Sequence, residues 1–276
     1  MNCARTEDRH RVRLGAVSFL NTRPLTYGLD EENAFDLVYD VPSACAEALS
    51  AGQIDVGLIP VIEYARQGGR LIVPDLAIGA IGDVLTVRLF FRGDLNDVCR
   101  IAADTSSRTS VALLRILLQA KYGITPELVP TPPDLDHMLH LADAALLIGD
   151  PVLPLVEAAG DEGDRHSLDL GREWQQFTGY PFVFAFWAGV TGTLTPAQVA
   201  RLQQARREGE QHLSDIAADF QRQRAGSAEL YERYLRDHIC YDLGEQQMAG
   251  LQAFFCLAFE HGIIPRIPPL QFYPSL

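Results

Sequence analysis

Residues 101–110, Ile-Ala-Ala-Asp-Thr-Ser-Ser-Arg-Thr-Ser, read as a strand end, a hydroxyl-rich turn and the start of a helix. A helix N-terminus presents unpaired backbone N–H groups and partial positive charge, and both favour an anion. Ser106, Ser107, Thr109 and Ser110 add short hydrogen-bonding groups around Arg108, whose planar fork suits a carboxylate or phosphate. The plainer reading is that Ser106 or Ser107 caps the helix while Arg108 lies in solvent.

Two further turns and one strand-like run carry groups able to do chemistry. Val17-Ser18-Phe19-Leu20 runs into Asn21-Thr22-Arg23-Pro24, where Asn21 can both donate and accept, or can cap the helix that follows. Arg23 faces either a cleft or solvent. Thr86 is the one hydroxyl in the apolar run 84–91, with Arg88 at same-face spacing; β-propensity alone also explains a Thr there. In Ile148-Gly149-Asp150-Pro151, Gly149 permits close backbone approach, and Asp150 is either a general base or a helix cap before proline. Phe182, opening an aromatic run, is a core residue by pattern that could also line a cleft. His137 and His140 share a short helix without the further ligands a metal site needs, so no metal is expected.

Elements must bring these turns together. Short apolar runs at 14–17, 36–39 and 54–58 alternate with helical periods at 21–29, 43–51 and 61–67, the βαβα pattern of a mostly parallel sheet covered by helices. Runs at 71–78 and 84–91 lead to a turn region at 92–96. A second α/β set follows: a strand at 98–103, a helix at 108–122, a strand at 127–131, a short helix at 133–141 and a strand at 144–148. The strand-like segment 181–190 returns the chain to the first unit, and helices at 196–224, 228–236 and 245–261 complete it. This order predicts an α/β fold of two lobes, residues 1–92 with 187–276 and residues 93–186, joined by two crossovers. A ligand cleft then lies between strand ends and helix N-termini of both lobes.

Composition narrows the partners. A net charge of -13 repels nucleic acid and anionic membrane alike, so neither is expected as a partner and an anionic ligand needs a locally positive pocket. Five scattered cysteines, Cys3, Cys45, Cys99, Cys240 and Cys256, form no C-x-x-C pair and suit a reducing compartment. The first residues carry charges of both signs and no apolar leader core, so a cytoplasmic location is expected. No run approaches the roughly 20 apolar residues of a membrane span. No G-x-S-x-G, H-E-x-x-H, P-loop or G-x-G-x-x-G pattern occurs, leaving hydrolase and nucleotide-binding readings without local support. The proline-rich tail from Ile264 is expected to wrap a surface of its own chain or of a second subunit, as in a homodimer.

Several motifs taken in order resemble one family. Val17-Ser-Phe-Leu-Asn-Thr-Arg-Pro-Leu25, Asp55-Val-Gly-Leu-Ile-Pro60 with Glu63-Tyr64, Ser106-Ser-Arg-Thr-Ser110, Asp143-Ala-Ala-Leu-Leu-Ile-Gly-Asp150 and Thr178-Gly-Tyr-Pro-Phe-Val-Phe-Ala-Phe-Trp187 resemble the chorismate dehydratases of the futalosine route to menaquinone. The resemblance implies a two-lobed, type II periplasmic-binding-protein-like fold used by a cofactor-independent lyase. It also implies loss of water from chorismate to give 3-[(1-carboxyvinyl)oxy]benzoate. Catalytic roles would fall on Asn21 and on Thr86, which stands where the family pattern carries serine. Ser18, Arg23, residues 106–109, Gly149 and Phe182 would bind substrate, and either Asp150 or the substrate's own carboxylate would take the proton. The competing readings are the sister enzyme forming 1,4-dihydroxy-6-naphthoate and a non-catalytic small-anion-binding protein of the same fold.

Overall fold

The computed structural model describes residues 11–31, 34–157 and 165–275; Cys3 and the rest of residues 1–10 lie outside them. Two sheets organise the chain. The first contains β1 (Val12–Val17), β2 (Phe35–Asp40), β3 (Val56–Pro60), β4 (Leu71–Ile72) and β5 (Ile78–Ala80). The second contains β6 (Val87–Arg92), β7 (Arg100–Asp104), β8 (Glu127–Thr131), β9 (Ala144–Ile148) and β10 (Arg165–Asp169); β11 (Phe182–Gly189) then returns to the first. Their orders are β2-β1-β3-β11-β4, with β5 also on β11, and β10-β6-β9-β7-β8. β3, β9 and β11 are buried along their whole length, because helices cover both faces, and their sequences are accordingly continuous apolar runs.

The expectation of mostly parallel sheets needs one correction. In each sheet three strands are parallel, β2-β1-β3 and β8-β7-β9, while the crossover strands β11 and β6 run antiparallel to them. The reason is where those strands start. Val87 opens β6 opposite Ile148, the last residue of β9, so the chain enters the second sheet at the end where its parallel strands stop. Both crossovers therefore sit at the cleft, ahead of Val87 and of Phe182, and β6 belongs wholly to the second sheet. The lobe boundaries lie earlier than residues 92 and 187 for the same reason. The apolar run at 71–78 holds β4 and opens β5, and the expected helix at 21–29 is a 3-10 helix, Leu20–Thr26, containing Pro24.

The helices are α1 (Pro42–Ser50), α2 (Val61–Gln67), α3 (Thr109–Ala120), α4 (Leu135–Leu141), α5 (Leu153–Glu157), α6 (Leu170–Thr178), α7 (Pro196–Gln211), α8 (Leu213–Gln221), α9 (Ala228–Arg233) and α10 (Glu245–Glu260). Local chemistry marks several ends: Pro42 at the start of α1, Asp169 capping α6, and a reciprocal Thr195–Gln198 capping box at α7. The long helix expected at 196–224 breaks at His212 into α7 and α8. One continuous apolar core joins the lobes, and at its aromatic centre Phe182 meets Trp174, Phe184 and Phe254 edge to face, with ring centroids 5.2, 4.7 and 5.0 Å apart. The tail lies on its own chain: Gln271 and Tyr273 bond Ile72, and Pro269 accepts from the Tyr64 hydroxyl at 2.8 Å.

Candidate active site

The cleft holds a largely apolar pocket, open at its mouth. Each lobe lends a wall. Val17, Phe19 and Asn21 come from the end of β1 and the turn after it, Pro42 and Pro60 from the starts of α1 and α2, residues 107–110 from the start of α3, and Ile148 and Gly149 from the end of β9. Val84, Thr86 and Val87 come from the first crossover, Phe184 and Ala185 from the second. Gly149 has φ +73°, and a Cβ there would lie 2.6 Å from the Phe19 ring, so this turn accepts only glycine without rearrangement.

Thr86 is set by a strained turn. Its N–H bonds the Val84 carbonyl at 2.8 Å, closing a γ-turn centred on Leu85, whose φ is +63°. Such a conformation costs a non-glycine residue about 1–3 kcal/mol and persists only when neighbours over-determine it. Here the buried Asp169 carboxylate accepts the Val84 and Leu85 N–H groups at 3.1 and 2.8 Å, and Arg88 Nε donates to the Leu85 carbonyl at 3.0 Å. Gly149 N–H bonds the Thr86 carbonyl at 2.8 Å. Burial pushes the Asp169 carboxyl pKa up, opposed by its bonds from the Val84 and Arg172 N–H groups and by the charge of Arg88.

Asn21 and Thr86 meet at a third residue. The Tyr234 hydroxyl, fully buried, accepts from Asn21 Nδ2 at 3.1 Å and lies 2.9 Å from Thr86 Oγ1. Asn21 Oδ1 is buried with no partner among the described residues. Asn21 is no helix cap, since that position belongs to Phe19. Sequence reasoning missed Tyr234 altogether: within the helical period 228–236 it reads as an ordinary core aromatic.

The α3 N-terminus does form a pocket wall, through Ser107, Arg108, Thr109 and Ser110. The Arg108 guanidinium, however, lies neither in solvent nor free for an anion. It bridges to the first lobe, pairing with Glu47 and with Glu63 Oε2, the latter at 3.2 Å. Ser106 is turned away from the pocket, its hydroxyl donating to the buried Asp104 at 2.5 Å.

Four other expected site residues lie elsewhere. Asp150 and Ser18 line a separate cavity beyond Phe19, and Asp150 Oδ1 accepts the Leu20 N–H at 2.9 Å. Burial pushes the Asp150 pKa up to about 6, opposed by that bond and by the charges of Arg224 and Arg23. Arg23 lies over the Tyr39 ring, 4.7 Å from its centre, in a surface depression. Phe182 is core, and Phe184, two residues further along β11 and past an irregularity in its pairing with β5, takes the pocket position. No Asp, Glu or His stands among the described residues lining the pocket.

Two α/β lobes around a cleft entered by two crossover strands define a protein of the periplasmic-binding-protein fold. An Archaeoglobus fulgidus protein of known structure superposes with a TM-score of 0.73 at 17% identity, covering 93% of this chain and all of that one. A Candida albicans protein, described as having the generic periplasmic binding protein fold, superposes at 0.62 and 11% identity, over 96% of this chain and 99% of that one. Residues 12–260 match the menaquinone biosynthesis family, and the chain belongs to it. The chorismate dehydratase of Thermus thermophilus is 32% identical over 255 residues, 87% of this chain and 93% of that protein. No helix among the described residues is long and apolar enough to cross a membrane.

Proposed function

We propose that this protein is a chorismate dehydratase, a cytoplasmic carbon–oxygen lyase that removes water from chorismate to give 3-[(1-carboxyvinyl)oxy]benzoate in the futalosine route to menaquinone. The observation that carries this reading is the meeting of Asn21 and Thr86 in an apolar pocket with a helix N-terminus on its wall and no carboxylate or imidazole in its lining. Elimination needs the proton on ring C3 and the hydroxyl on C4 to leave. The product is aromatic, so the protein's task is to align the groups and stabilise developing charge.

With the ring carboxylate at the start of α3, charge released at C3 spreads through the conjugated C1–C2 bond onto that carboxylate, where backbone N–H groups and the Ser107 and Ser110 hydroxyls receive it. The substrate's enolpyruvyl carboxylate takes the C3 proton. The C3–H electron pair becomes a ring double bond, the C4–O bond breaks, and the departing hydroxide, held by Thr86 and Asn21, acquires that proton as water. The lack of a carboxylate or imidazole in the pocket lining supports this substrate-assisted route over a protein base.

The test is to incubate purified protein with chorismate and follow ultraviolet absorbance and mass. A product lighter by one water is expected; binding without turnover would mark a solute-binding protein of the same fold and overturn the proposal.

A further inference from the structure

Tyr234 lies on a single π-helical turn, Tyr234–His238, that continues α9. Such turns are rare and shift side chains by one position relative to an α-helix. Its hydroxyl has one proton and two lone pairs. One lone pair is taken by Asn21 Nδ2, and the acceptor within reach of its proton is Thr86 Oγ1. Thr86, receiving that proton, has its own to direct elsewhere; the Val84 carbonyl, at 3.5 Å, is a poor partner, and the pocket is adjacent. Asn21, donating to Tyr234, keeps Oδ1 as a buried acceptor without a partner among the described residues. Burial raises the phenol's pKa well above its usual value, so it remains a neutral donor and acceptor.

We infer that Tyr234 is a positioning residue that sets the polarity of the site, fixing Thr86 as a hydrogen-bond donor and Asn21 as an acceptor toward a substrate hydroxyl. This rests on the dehydratase reading. The two groups then grip one C–OH from both sides: Thr86 donates to its oxygen and Asn21 Oδ1 accepts its proton. The hydrogen bond from Tyr234 polarises Thr86 further as charge grows on the leaving oxygen. Neither Asn21 nor Thr86 has this definite polarity without the phenol between them.

The experiment uses the full chain and begins with wild-type turnover of chorismate, whose absence would overturn the dehydratase reading by itself. Given turnover, Tyr234→Phe is expected to lower kcat about ten- to a hundredfold with KM within about twofold of wild type and the melting temperature little changed. Tyr241→Phe is the control, since that phenol is also buried and its hydroxyl has no partner among the described residues; its kcat should match wild type. In a Thr86→Ala background, Tyr234→Phe should cost several-fold less than in wild type, because one of the two groups it acts through is gone. Unchanged kcat in Tyr234→Phe, full additivity with Thr86→Ala, or loss of activity only together with a collapsed melting transition would each overturn the inference.

Discussion

At Thr86 the chemistry depends on a hydroxyl and the packing on a methyl, and the two are separable. Thr86→Ser keeps the oxygen on the γ-turn and in reach of Tyr234, so kcat should stay within a few-fold of wild type, whereas Thr86→Ala should lower it about a hundredfold. Steady-state kinetics on both variants checks this. Asp150 gives the complementary result. Its carboxylate holds the Leu20 N–H in a different cavity, a bond that asparagine can also accept, so Asp150→Asn should retain most of the wild-type kcat. A protein base at this position would instead be lost with the substitution. Stability should respond in a defined direction. A carboxyl whose pKa is about 6 when folded and about 4 when unfolded binds its proton more tightly in the folded state, so it favours folding most below pH 4. That contribution falls as pH rises to about 6, by at most about 1.4 kcal/mol per pH unit. Urea denaturation should therefore show Asp150→Asn gaining on wild type between pH 4 and 6, with a constant difference above.

Among the elements, the first crossover has the tightest constraint. Asp169 ends β10, caps α6 through the Gly171 and Arg172 N–H groups, and pins the Val84 and Leu85 N–H groups of the γ-turn. One carboxylate thus ties a helix start to the turn that aims Thr86. Asp169→Ala should cost about 2–4 kcal/mol, a lost cap plus two buried donors left unmet, and should lower kcat by releasing the turn. Urea titration alongside kinetics measures both, and unchanged kcat would show that Thr86 holds its position without Asp169. β10 and α6 were not legible in the sequence. Their short polar strand, His166-Ser167-Leu168-Asp169, has neither the length nor the apolar run that made β9 and β11 plain. The start of α3 was legible because a hydroxyl-rich turn before an apolar helical period is a local signal. Its neighbours were not: Glu47 and Glu63, from α1 and α2, are what occupy Arg108.

Over the whole molecule, that arginine connects the lobes. Glu47 is 68% exposed and Glu63 only 5%, so the two halves of the bridge differ in energetic weight. Glu47→Ala should change stability by less than about 1 kcal/mol, as exposed ion pairs do. Arg108→Ala should cost more, about 1–3 kcal/mol, because it leaves the buried Glu63 with Arg66 and Gln67 as its remaining side-chain partners. Denaturant titration of both variants separates the two, and equal losses would show that the buried half adds nothing.

The sequence by itself determined the alternation of strands and helices, the two α/β units with a returning strand, the family, the turns that carry Asn21 and the start of α3, and the apolar run that carries Thr86. These follow from period and capping, which act over a few residues, and from motifs quoted in order along the chain. Tertiary structure alone decided which of those turns share a pocket. It sent Asp150, Ser18, Arg23 and Phe182 elsewhere, because a side chain's direction at a turn depends on which neighbour packs against it. It moved the crossovers to the cleft, because a strand entering a sheet from the cleft end must run against its neighbours. It also brought Tyr234 to Asn21 and Thr86 across 213 and 148 positions, a contact between distant segments made only when the C-terminal helices fold back over the first lobe.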